Sequence, residues 1–166
     1  MAQDAMRMDL YTAVDAIGSA LRDLATTGHD GVFQDSLYPV PDMLDIAEGR
    51  PVMTVRFDGI AGDDWNRLQE MIEPPKSPSD LRFEVRIYHP PNIPSTVPYD
   101  TDPYIYAQEQ VMKGTSEFYK NLRADNTLGD LVMDVLILGS VAGDLFDPRN
   151  NREFYGHEIM LVTSTY

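Results

Sequence analysis

Residues 81–91 read LRFEVRIYHPP, residues 103–126 read PYIYAQEQVMKGTSEFYKNLRADN, and residues 131–138 read LVMDVLIL. In the first piece Leu81, Phe83, Val85 and Ile87 alternate with Arg82, Glu84, Arg86 and Tyr88. Successive side chains of a strand point to opposite faces, so this alternation predicts a half-buried strand with one face for a core and the other for water or a neighbour. The second piece is helical. Asp102 and Pro103 supply an N-cap and a first-turn residue, and Ile105, Met112 and Tyr119, with Gln108, Thr115, Leu122, Val111 and Phe118, are spaced to share a face as far as Arg123. Gly114 costs about 1 kcal/mol relative to alanine in a helix interior, so its presence marks a close approach to another element. The third piece, followed to Val141, is nearly continuous in apolar residues, which predicts a strand buried on both faces at the centre of a sheet.

Towards the N-terminus, Leu10, Val14, Ile17, Leu21 and Leu24 recur in steps of four and three, predicting an amphipathic helix from about Asp9 to Ala25 that Gly28 ends. Ala13, Gly18 and Ala20 would let it lie close to its neighbour. Pro39, Pro41 and Pro51 break the following segment, which has room for a short edge strand within Val32 to Tyr38 and a helical turn or two from Pro41 to Ala47. Val52 to Phe57 is a strand, with Met53, Val55 and Phe57 on one side and Val52, Thr54 and Arg56 on the other. Beyond the third piece, the loop AGDLFDPRNNRE leads to a last strand from about Phe154 to Thr163.

The element order is therefore α-β-β-α-β-β. It predicts one α/β (more strictly α+β) domain over residues 1–166, a mixed or antiparallel sheet of four to five strands with two main helices on one face. Two long inserts interrupt it, at about 58–80 and 89–103. The first carries Asp63, Asp64 and Trp65, and the second has five prolines from Pro90 to Pro103. Connections longer than about 12 to 15 residues tend to be functional or mobile, which makes these inserts candidate contact loops. Trp65, Leu68, Met71 and Ile72 have helical spacing, so the first is equally explained as a satellite helix capping the core, while the proline-rich second reads as an extended spacer.

The totals narrow the function. With 43% hydrophobic residues in a chain of 166, one ordinary core is expected. There is no cysteine, which excludes disulfides and thiolate chemistry. The 27 acidic against 13 basic residues give a formal charge of −14, the wrong sign for gripping a phosphate backbone, although acidity can also serve solubility alone. The N-terminus carries Asp4 and Asp9 and has no signal-peptide apolar core, and no segment approaches the roughly 18 apolar residues of a membrane span. A cytosolic or particle-bound protein without membrane partners is expected.

No GxxxxGKS/T, GxGxxG after a strand, GxSxG or HExxH is present, so no catalytic or cofactor-binding residues are assigned. His29, His89 and His157 lie in separate segments and read as solvated loop or strand-surface residues. Asp144, Asp147, Asn150, Asn151 and Glu153 offer oxygen ligands but lack the alternation and glycine of a calcium loop, so no metal site is expected. Arg56, Arg82 and Arg86 against Glu84, Asp134, Glu153 and Glu158 are placed to pair across neighbouring strands.

The N-terminal helix MDLYTAVDAIGSALRDL, the paired strands PVMTVRF and LRFEVRIYHP, the run EFYKNLRADNTLGDLVMDVLIL with its Leu128-Gly129 turn, and the final strand HEIMLVTSTY together resemble the tail-terminator proteins of long-tailed bacteriophages. The likeness covers most of the chain and rests on layout, with the two inserts departing from it. It implies a virion protein of the tail-neck region, assembled in the host cytoplasm, that forms a homo-oligomeric ring, commonly a hexamer. Such a ring caps the head-proximal end of the tail tube, stops tube polymerisation and joins the tail to the head connector, while DNA passes through its lumen without specific binding. On that basis Thr54, Arg56, Arg82, Glu84, Arg86 and Tyr88 are candidates for the ring interface or lumen. Asp63, Asp64, Trp65, Pro94 and Tyr99 are candidates for contact with tube or connector. The competing readings are a head-side connector or neck adaptor ring and, from another class, a small α/β binding domain or enzyme, which would need a pocket of convergent ionisable groups.

Overall fold

β3 (Asp80–His89) lies in the middle of a five-stranded sheet whose order is β1-β2-β3-β5-β4, with β1 spanning Asp35–Leu37, β2 Val52–Ile60, β4 Asp134–Asp147 and β5 Arg152–Ser164. The computed structural model describes residues 9–39, 49–60, 80–90, 97–98, 100–147 and 152–164. β1 runs parallel to β2, and every other neighbouring pair is antiparallel, so the sheet is mixed. Among the described residues two helices, α1 (Leu10–Arg22) and α2 (Pro103–Ala124), join the sheet in an α+β fold.

The alternation in β3 sets the core. Leu81, Phe83, Val85 and Ile87 are all fully buried, and the register carries the same face into Met53 and Val55 on β2 and Ile159 and Leu161 on β5. Both helices cover this face, α1 over β2 and α2 over β3 and β5. Phe57 and Phe83 meet edge to face within it, ring centroids 5.6 Å apart.

The helices start where their caps dictate. The Asp9 carboxylate accepts from the Thr12 amide at 2.8 Å, and the Asp102 carboxylate accepts from the amides of Tyr104 and Ile105 at 2.8 and 3.2 Å. Small residues decide which face turns inward. α1 buries Ile17 and Leu21 of the expected stripe together with Ala13 and Gly18, while Leu10 is exposed, and the ring of Tyr38 sits on Gly18 while its hydroxyl donates to the Val14 carbonyl at 3.1 Å. α2 buries Ala107, Val111, Gly114, Thr115, Phe118 and Leu122, leaving Ile105 and Met112 exposed. A Cβ on Gly114 would stand 2.9 Å from Phe33 and 3.0 Å from both Ile87 and Pro51, so the expected close approach is there.

Four expectations need correction. α1 ends at Arg22, short of Ala25, although Leu24 and Ala25 are still buried beyond it. The strand at 131–141 begins at Asp134 and runs to Asp147, absorbing much of what reads as the following loop. That strand, β4, sits at the edge of the sheet, while β5 occupies the interior position between β3 and β4. The cause is a long hairpin: β4 and β5 pair from Asp134↔Ser164 to Asp147↔Arg152, and among the described residues β4 has no second strand partner. The fourth is the α2 face described above. Pro41 to Ala47 and most of both inserts lie outside the described residues, although β2 itself continues to Ile60.

α2 hands over to β4 through a left-handed turn in which Leu128, Gly129 and Asp130 have φ of 52, 69 and 63°. The Asp125 carboxylate accepts from the Gly129 amide at 2.9 Å, and Leu128 is buried. Among the described residues no helix is long and apolar enough to cross a membrane.

Candidate functional site

The sheet face turned away from the helices is divided along its length. At one end Val52, Tyr88 and Phe154 form a second small apolar cluster with Leu37 and Leu145 packed against it. Tyr88 and Phe154 meet edge to face at 5.3 Å. Further along, the register sets Arg56 opposite Glu84 and Arg86 opposite Glu158. The result is a charge network that Asp58 joins through Arg56 at 4.0 Å. Arg56 Nη2 lies 2.5 Å from Glu84 Oε2, the Arg86 Nε donates to the other oxygen of Glu84, and the same Nε is 3.2 Å from Glu158 Oε1. Glu84 is only 5% exposed, so its charge is held in a dry position by two guanidiniums that reach towards solvent.

Of the six ring-interface or lumen candidates, this arrangement unites Arg56, Glu84 and Arg86. Tyr88 is fully buried and Thr54 nearly so, which corrects their reading as residues presented to a channel or neighbour. The bulk of Tyr88 fills the apolar cluster instead. Arg82 is half-buried on the same face. The contact-loop candidates Asp63, Asp64, Trp65, Pro94 and Tyr99 all lie outside the described residues.

A surface that the sequence pattern did not single out lies at the sheet edge. Leu136, Leu138 and Val141 of β4 are 50, 54 and 70% exposed, and Met133, Ile137 and Phe146 are also open to solvent. By register Leu136 and Val141 fall on the charged face, beside Val162 and Glu158, whereas Ile137 and Phe146 fall on the helix side. Leu138 is an extra residue, since the ladder shifts between Ile137 and Gly139. Next to this edge a trough of about 550 Å³ runs between the end of α2 and β4, walled by Tyr119, Leu122, Val135 and Ile137, with Arg123 and Asp134 as its charged members. The polar and glycine residues at Gly139, Ser140 and Gly143 were the available signal that the apolar run does not continue as a central strand.

Two of the three histidines differ from their expected solvated positions. His29 is exposed, but His89 is fully buried, donating from Nδ1 to the Pro90 carbonyl at 2.6 Å and meeting the Tyr106 ring edge to face. Burial holds its pKa below the usual imidazole range. His157 is half-buried, with Nδ1 3.1 Å from the Thr115 hydroxyl, and burial lowers its pKa too. The three do not converge on one another. Asp144 and Asp147 are strand residues of the β4–β5 hairpin rather than loop ligands, and among the described residues no three His, Asp or Glu side chains gather closely enough to hold a metal ion.

No protein-family model matches the chain, and no curated protein matches it significantly.

Proposed function

We propose that the chain is a tail-terminator protein of a long-tailed bacteriophage, acting as a ring of six copies on the head-proximal end of the tail tube. There it stops addition of further tube protein and offers its upper surface to the head connector. The observation that carries this reading is the unequal finish of the sheet. One edge is closed by β1, three residues long, while the other is the fourteen-residue β4 with its apolar residues in water. A subunit with such an edge is suited to completion by a neighbour rather than to life alone.

The element order adds support, since the helices occupy one face of the sheet and leave the other, with its Arg56, Glu84, Arg86 and Glu158 network, available to line a joint or channel. The formal charge of −14 per copy favours passage of DNA without a grip on it. Tube protein polymerising in the presence of the purified chain tests the reading. The expected result is tubes of arrested length, each carrying one ring at an end in electron micrographs. Tubes that elongate freely overturn it, and binding to the portal-side ring with no effect on tube length identifies a head-side connector instead.

A further inference from the structure

β4 has a strand partner on one side only among the described strands. Natural sheet edges are protected by short length, lysine, proline, β-bulges or inward charge. β4 has fourteen residues and no charged residue between Asp134 and Asp144, and of these devices it carries the bulge at Leu138. On the charged face Leu136 and Val141 are 50 and 70% exposed, and on the helix side Ile137 and Phe146 are 40 and 56% exposed, so the edge leaves apolar side chains in water on both of its faces. The adjoining trough is placed to take alternate side chains of an added strand, while the free backbone groups of β4 would supply the ladder.

We infer that β4 is the seam of the assembly: an extended segment of a second copy of this chain pairs with its free edge and inserts a side chain into the trough between α2 and β4. The inference rests on the ring reading above. Charge decides how the second copy approaches. A two-fold pairing of β4 with its own counterpart over the full strand would set Asp134 against Asp147, and like charges directly opposite destabilise a ladder. β1 offers only three residues as an alternative sheet edge. The contact therefore joins β4 to a different surface of the next copy, a head-to-tail kind of contact that forms a ring where its rotation closes and a filament where it does not.

Native mass spectrometry and sedimentation of the full chain between about 1 µM and about 500 µM test this. The expected wild-type species holds more than two copies. Leu136→Lys and Val141→Lys, both at exposed positions, are expected to weaken association by about 100-fold or more. Met112→Lys, exposed on α2 away from the edge, is expected to leave it unchanged. Hydrogen exchange on the wild type gives a readout that depends on no variant: β4 amides should gain protection as concentration rises. A wild-type monomer throughout the range, a species of strictly two copies, or a ring whose mass and β4 exchange ignore the edge overturns the inference. A seam that behaves as described in a ring unable to limit tube length would remove the functional reading and leave the seam. A ring that limits tube length regardless of the lysines would do the reverse.

Discussion

Arg56 and Glu84 face each other across the β2–β3 ladder, with Nη2 2.5 Å from Oε2, and the carboxylate is the deeper of the two. Arg86 holds its other oxygen. Removing both arginines strands a buried charge, whereas removing the charge itself does not. The double variant Arg56→Ala/Arg86→Ala is expected to lose about 2 kcal/mol, below the ~3–5 kcal/mol of a fully buried pair because both guanidiniums reach solvent. Glu84→Leu is expected to stay within about 1 kcal/mol of wild type. Urea unfolding of the three proteins checks the order.

Gly114→Ala opposes two effects. Alanine gains about 1 kcal/mol in helix propensity. Its methyl group would press on Ile87 of β3 and on Phe33 and Pro51 from the segments that precede β1 and β2, and overpacking of this kind costs about 1–3 kcal/mol. A net destabilisation of about 1 kcal/mol is expected, visible as a lowered urea midpoint with an unchanged slope.

Asp102 caps α2 through two backbone amides. Asp102→Ala is expected to cost about 1 kcal/mol, while Asp102→Asn, which keeps an accepting oxygen, should cost far less. In thermal melts the alanine variant should fall by about 2–4 °C for a domain of this size.

Acidification should destabilise the fold before its carboxylates titrate. His89 and His157 are both held neutral by burial, so their folded pKa values lie below the unfolded value of about 6.5. The unfolded chain therefore binds more protons as the pH falls through that value, and stability that is complete above it declines below it. Urea midpoints between about pH 7.5 and about pH 5 should decrease, and His89→Phe or His157→Gln should each flatten the decrease. A midpoint constant across that interval would contradict the assignment.

Much of the fold was legible because β3 is buried on one face and charged on the other, which writes a period of two into Leu81 to Tyr88. Asp102-Pro103 announced α2 equally plainly, since capping is a local chemistry. The run at 131–138 misled because apolar periodicity records that side chains avoid water, not which molecule removes them from it. A strand buried between two others and an edge strand awaiting a neighbour read alike. The buried face of α2 is legible in part, since Val111, Thr115, Phe118 and Leu122 lie on it as their spacing predicts; large residues such as Ile105 and Met112 point the reading too far round, where close packing against the sheet selects Ala107 and Gly114 instead. His89 could not be placed from sequence because its burial depends on Tyr106, seventeen positions away and brought alongside by the fold.

The interior place of β5 has a consequence for how the chain is made. β5 is the last of the five strands to leave the ribosome, and it pairs with both β3 and β4. Until it emerges, β3 has an open edge beside β2, β4 has no strand to pair with, and α2 has only part of the surface it will cover. Nascent chains halted anywhere before residue 152 should therefore stay sensitive to protease and dependent on holdase chaperones, and the cooperative collapse of the domain should await release of its final hairpin.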